Sequence, residues 1–140
     1  MSLSFLGKYR ETGLFLLRAG IGLCFVLHGY PKMFGDNNLD RWNGLGHAVK
    51  NVGLDFLPDW AFTVFGFLAA LSEFGGGICL ILGWFFRPAC LMMAGTMAVG
   101  LAMHVKKGDD FNAYSHALES LVLFVSLMLI GPGKISVERG

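Results

Sequence analysis

Charge is scarce in this chain. Only 15% of its 140 residues are Asp, Glu, Lys or Arg, with eleven basic side chains against ten acidic ones. No run of one sign is long enough to grip a polyanion, and a formal net charge of +1 provides no attractive field, which sets nucleic acid aside as a partner. Cysteine is scarce too. Cys24, Cys79 and Cys90 each sit in a different apolar segment, with no C-x-x-C pair and an odd total. That pattern argues against a disulfide framework and against a small membrane dithiol oxidoreductase, and leaves the three as small apolar residues. There is no nucleotide-type glycine fingerprint and no haem-type spacing.

What fills the chain instead is apolar. Hydrophobic residues make up 54%, including thirteen Phe and seven Met, and the mean hydropathy is +0.58. Twenty Gly are many for a water-soluble helical bundle but ordinary where transmembrane helices approach closely. Lys8 and Arg10 before an apolar stretch imitate a signal peptide, yet Arg18 interrupts that stretch and no small-x-small cleavage site follows, so it reads as a retained first helix.

Four segments, roughly 12–30, 60–83, 88–105 and 115–131, are long enough to cross a hydrocarbon core of roughly 30 Å, which needs about 20 residues. Their connections are brief, which predicts an all-α, integral membrane four-helix antiparallel bundle forming a single domain over 1–140. Pro31 should end or kink the first helix, Asp59 after Pro58 is a candidate N-cap, Pro88 opens the third helix and Gly131-Pro132-Gly133 stops the fourth. Trp42 and Trp60 at one end and Trp84 at the other have the positions of interfacial anchors. The one long connection, 31–59, carries Leu39, Trp42, Leu45 or Gly46, Val49 and Val52 at three-to-four spacing. This predicts a short amphipathic helix over one bundle end, either a lid or a passive surface helix.

Basic residues do not orient the chain. Lys8, Arg10, Arg87, Lys134 and Arg139 on the terminal side balance Lys32, Arg41, Lys50, Lys106 and Lys107 on the other. The expectation adopted is that both termini are cytoplasmic.

Ionisable residues inside apolar segments are costly and mark pairs or functional paths. Arg18, Phe25 and Lys32 are seven apart on the first helix, with His28 near the same face. Arg18 is either a snorkelling side chain or a buried partner of Glu73. Glu73 lies about ten residues, roughly 15 Å, from the Gly83 end and Arg18 about half as deep, so an Arg18–Glu73 ion pair is the sharper expectation. Otherwise Glu73 is a neutral hydrogen-bonding acid suited to proton transfer. Gly75, Cys79 and Gly83, and Ala94, Ala98 and Ala102, form small-residue stripes that suit close helix packing. His28, His104, His116 and Glu119 fall at the end opposite the termini, and His116 and Glu119 share a helix face. Three readings are open for them: a metal site, the least favoured; a proton-exchanging or quinone-contacting cluster; and plain polar caps. Asp109-Asp110 reads as a solvated turn.

With these residues in place the chain resembles the DoxX family of small four-helix membrane proteins. The matching elements are Leu17-Arg18 with Gly22 and Phe25, His28-Gly29 with Lys32, Glu73 with Gly76-Gly77, Leu80 and Leu82-Gly83, Arg87 with Ala89, and Gly131-Pro132-Gly133 with Ile135-Ser136. The resemblance covers nearly the whole chain. It implies a multi-pass protein of the bacterial inner membrane. Family members include a subunit of thiosulfate:quinone oxidoreductase and components of complexes handling sulfur and oxidative stress. It therefore suggests a membrane oxidoreductase subunit with a quinone near His28, His104 and His116, catalytic roles for His28, Lys32, Glu73, His104, His116 and Glu119, and no resident metal. The implied partners are lipid, an electron-supplying subunit and a second copy of the chain. The competing reading is a non-catalytic scaffold or assembly factor whose buried charges fix helix packing or hold a partner helix.

Overall fold

The computed structural model describes residues 2–138; Arg139, counted above with the terminal-side cations, lies outside the described residues. After a 3-10 segment, Ser4–Tyr9, come α1 (Arg10–Phe34), α2 (Asn38–Gly46), a second 3-10 segment (His47–Val52), α3 (Asp59–Leu82), α4 (Phe86–Lys107) and α5 (Phe111–Ile130). The four long helices are long and apolar enough to cross a membrane, and the amphipathic element appears as α2 with its 3-10 extension.

Several predicted boundaries move, each for a local reason. Pro31 does not end α1, which runs on to Phe34. A helix end leaves carbonyls without partners, and here α2 supplies them. The Arg41 guanidinium donates to Pro31 O, Trp42 Nε1 to Lys32 O (2.9 Å) and Asn38 Nδ2 to Met33 O (3.2 Å). Trp42 is thus a pin between α1 and α2, its ring also set against Phe67 at 5.0 Å, and not a lipid anchor; Trp60 and Trp84 are exposed, as anchors require. Pro58 rather than Asp59 is the N-cap of α3, with Asp59 the first helical residue. Asp110 caps α5 by accepting from Ala113 N (3.1 Å), so half of the expected solvated turn is a helix cap.

The close approaches also fall on glycines other than those expected. A side chain at Gly75 would meet only its own helix's Leu71, and Ala98 is exposed, so neither small-residue stripe packs along its length. Instead Gly22 faces Gly77 across the α1–α3 contact, where a Cβ on either would lie 2.6 Å from the other's carbonyl. At the α2–α3 crossing a Cβ on Gly46 would overlap the Phe62 carbonyl, and one on Gly66 the Trp42 carbonyl. The core between α1, α3, α4 and α5 is built from Phe25, Leu80, Phe86, Cys90, Met93, Phe124 and Leu127.

At the terminal end the segment after α5 folds back beneath the bundle. Val137 N and Glu138 N donate to the Leu82 and Gly83 carbonyls, and Lys134 N donates to Glu11 Oε2. Arg18 sits above this strap, fully buried. It donates to Pro132 O (2.9 Å) and Ile135 O, and its guanidinium lies 5.4 Å from the Phe15 ring centroid. The expected Arg18–Glu73 pair is therefore absent. Arg18 neither snorkels nor reaches Glu73, because carbonyls just past the α5 C-terminus, the negative end of that helix, are nearer acceptors for its planar fork.

Candidate functional site

Glu73 is paired, but with Lys32. The ammonium of Lys32, in the last turn of α1, donates to Glu73 Oε2 at 2.8 Å, with the Glu73 side chain 8% exposed and that of Lys32 35%. Depth explains the choice. The end of α1 packs on α3 at the level of Glu73, with Gly29 against Phe74, so Lys32 is within reach, whereas Arg18 is committed to the strap at the terminal end. Beside Glu73, the Ser72 hydroxyl meets Thr96 Oγ1 on α4 at 2.7 Å, so the α3–α4 contact at this level is polar.

These groups form part of the wall of a cavity of about 860 Å³, within the range of small-molecule sites. The bundle spans make its sides, and α2 with its 3-10 extension covers it through Leu45, Gly46, Ala48 and Val49. Because Gly46 and Gly66 lack side chains, α2 lies directly on the α3 backbone and roofs the space. Most of the lining is apolar; Lys32, Asp40, Arg41, Ser72, Glu73, Thr96 and the three histidines His28, His104 and His116 are the polar exceptions.

Of the residues expected to cluster, His28, Lys32, Glu73, His104 and His116 all line this cavity. His28 and His116 face one another with ring centroids 5.8 Å apart, and Phe25 stacks on His116. These side chains and Phe124 fill the space between α1 and α5, whose Cα atoms approach nowhere within 8 Å among the described residues. His104 Nδ1 donates to Asp109 Oδ2 at 2.7 Å, which leaves Nε2 as the ring nitrogen able to engage a guest. Two of the expected members are elsewhere. Glu119 is exposed and outside the cavity lining, since one helical turn beyond His116 carries it past the wall, and Arg18 belongs to the strap. No group of three or more His, Cys, Asp or Glu among the described residues is disposed to hold a metal ion.

Sequence reading passed over Asp109, Ser72 and Thr96 as site residues, and His47 altogether. His47 serves the roof: its Nδ1 lies 2.6 Å from Asn43 O and its ring lies tilted against Phe62 at 4.4 Å. Only Ser72 carried a signal, as a polar neighbour of Glu73 in an apolar helix.

The chain matches the DoxX family over residues 13–105, a stretch that holds most of α1, the roof, α3 with Glu73, and most of α4. It belongs to the DoxX family. Among curated proteins it is 25% identical to the inner membrane protein YphA of Escherichia coli strain K12 over 142 aligned positions, covering 95% of this chain and 93% of that protein. It is likewise 25% identical to the inner membrane protein YqjF of the same strain, covering 94% of each. No solved structure gives a significant match. With four candidate spans and relatives of this kind, this DoxX protein is a multi-pass inner membrane protein in contact with lipid on its outer faces.

Proposed function

We propose that this DoxX-family chain is the membrane subunit of a quinone-linked oxidoreductase, of the kind that handles sulfur compounds or oxidative stress, and that the roofed cavity is where the quinone binds. The observation that carries the proposal is the cavity itself: an apolar chamber between membrane spans with the Lys32–Glu73 pair and the Ser72–Thr96 hydroxyls in one wall. The donor set fits a quinone, whose carbonyl oxygens accept from an ammonium or a hydroxyl and whose ring packs on apolar side chains. When bound, a quinone supplies the capacity to take up two electrons with two protons.

The residues of the chain then bind, orient and supply protons. Lys32 holds a carbonyl oxygen, and Glu73 keeps the Lys32 ammonium aimed. His104, steadied by Asp109 in the α4–α5 turn, passes a proton from the aqueous end to the cavity, while His28 and His116 do the same from the α1–α5 side. Electrons come from a partner subunit. The scaffold reading has less support, because a charge that grips a partner helix must be available to it. Arg18 and Glu73 are buried within the chain, Arg18 on the strap carbonyls and Glu73 on Lys32.

The test is quinone binding by the chain in lipid nanodiscs, followed by quenching of tryptophan fluorescence, since Trp42 is hydrogen-bonded to Lys32. Saturable quenching that is lost in Lys32→Met supports the proposal. Absence of saturable binding, alone and in the complex with native partners, refutes it.

A further inference from the structure

Glu119 is the ionisable side chain that the bundle leaves unexplained. It is the ninth of the 20 residues of α5, about 12 Å from the Phe111 end and about 16 Å from Ile130, so it lies deep in a span. It is exposed but does not line the cavity, which puts its exposed surface on the outside of the bundle. Its side chain makes no hydrogen bond or ion pair among the described residues. A carboxyl group left among acyl chains is costly, and such groups ordinarily face protein. Arg18 and Glu73 obey that rule within the chain. Glu119 can obey it only against a second protein surface.

Nor is Glu119 isolated. Asn112, Glu119 and Ser126 are seven apart, His116 falls between the first two on the same side of α5, and all four are exposed. Ala117, Ser120, Phe124 and Leu127 turn inward instead. A polar stripe thus runs along the outside of the span from one end to the other. It borders the seam between α1 and α5, where the two backbones stay apart and side-chain rings fill the space. On the α1 side of that seam Cys24, one turn before His28, and Gly20 are small and exposed, and a Cβ on Gly20 would meet nothing within 4 Å. The surface therefore offers polar groups on one lip and room for a close helix approach on the other.

We infer that this face joins two copies of the chain about a two-fold axis along the membrane normal, with Glu119 of each copy hydrogen-bonded to His116 of the other. Copies inserted in one orientation pair about such an axis and present equal depths to each other. The stripe is self-complementary under that operation. His116 precedes Glu119 by three residues, about 4.5 Å of helix rise, so each carboxyl group meets the opposite imidazole within one turn. Neither ring nitrogen of His116 has a hydrogen-bond partner among the described residues, where its ring makes only aromatic contacts. One proton serves the contact either way, since an imidazole N–H donates to a carboxylate and a carboxyl O–H to a bare ring nitrogen. A foreign helix would have to bring a matching group to this depth, whereas this chain already carries one. The pairing does not rest on the quinone site.

The test uses the whole chain, labelled at its amino terminus with donor or acceptor dye and reconstituted in vesicles of phosphatidylethanolamine and phosphatidylglycerol. Energy transfer is followed as added lipid dilutes the protein. Glu119→Leu suits a lipid-facing position and leaves the interior packing untouched, and circular dichroism checks that the helices are retained. His116→Phe keeps a ring against Phe25 and removes the ring nitrogens. To map the contact, Ser126→Cys on the stripe and Leu91→Cys, at an exposed α4 position of similar depth, are each placed in a Cys24→Ser background and oxidised in the membrane.

The expected result is that wild type associates reversibly and that Glu119→Leu and His116→Phe each weaken association about tenfold, because either change removes both symmetric contacts. The double variant should associate no more weakly than the single ones. Ser126→Cys should crosslink into dimers and Leu91→Cys should not. Wild type that stays monomeric at every dilution, including a chain that instead captures a different membrane protein through Glu119, refutes the pairing. Association that Glu119→Leu leaves intact refutes it too, as does crosslinking through Leu91→Cys in place of Ser126→Cys. Weakening by Glu119→Leu without weakening by His116→Phe overturns the assigned contact. Every arm is read without quinone, so the quinone site stands or falls separately.

Discussion

Lys32 and Glu73 are joined by one hydrogen bond but sit in unequal surroundings, and the inequality predicts unequal mutants. At 2.8 Å the Coulomb attraction is about 6 kcal/mol for an effective dielectric of about 20 and about 1.5 kcal/mol in bulk water. Because the Lys32 side chain is 35% exposed, solvent screening places the pair between these limits, at about 3 kcal/mol. Lys32→Met leaves the Glu73 carboxylate, only 8% exposed, without its partner, and should cost about 3 kcal/mol. Glu73→Leu leaves an ammonium that can swing its flexible stem toward the exposed side, and should cost about 1 kcal/mol. In the double variant no charge is stranded, and stability should return to within about 1 kcal/mol of wild type. The assay is reversible unfolding in bicelles by steric trapping, run as a double-mutant cycle, with an expected coupling of about 3 kcal/mol. Equal losses from the two single variants, or a coupling below about 0.5 kcal/mol, would show that the pair is not held as described.

Three further outcomes follow from the packing. Gly66→Ala and Gly46→Ala each drive a methyl group into a backbone carbonyl that no rotamer change can move, so each should cost about 1–3 kcal/mol and expose the roof to hydrogen exchange, whereas Gly44→Ala, whose Cβ meets open space, should be neutral or slightly stabilising. Arg18→Lys keeps the charge but loses the two-pronged contact with Pro132 O and Ile135 O; limited proteolysis should then cut within 132–138, where the wild-type strap resists. Trp42→Phe keeps the packing on Phe67 but removes the donor to Lys32 O, a loss of about 1 kcal/mol that should appear as faster amide exchange in the last turn of α1.

The architecture was legible because hydrocarbon imposes length and composition on every span, and those leave a mark in any stretch of about 20 residues. The inward stripe of Arg18, Phe25 and Lys32 was legible for the same reason: helical periodicity is local. Pairing between helices is not. Depth along two spans made Arg18 and Glu73 plausible partners, but it said nothing of the strap after α5, whose carbonyls compete for the guanidinium, or of Lys32, which shares Glu73's level. Glycine was misread in a similar way. Gly75, Cys79 and Gly83 form a regular stripe, yet which glycines meet a neighbour depends on the crossing point, and Gly46 with Gly66 lie on elements whose contact no single-helix pattern records. Pro31 showed the limit of a local rule, since helix termination depends on whether carbonyls find partners, and here α2 brings three donors back to them. The site was half visible: polar residues in apolar helices stood out, while Thr96 and Asp109 acquire meaning only through what they touch.

The separation in sequence between Arg18 and its acceptors sets an order of events during biogenesis. Pro132 and Ile135 follow Arg18 by 114 and 117 residues. At synthesis rates of about 5–20 residues per second, the first span waits roughly 6–23 s before the carbonyls that satisfy its guanidinium exist. During that interval the Arg18 charge must be met by other acceptors, and its final hydrogen bonds form only when the last span has followed. The strap is therefore the step that completes assembly, and a chain interrupted after α5 would leave the guanidinium of its first helix without these acceptors.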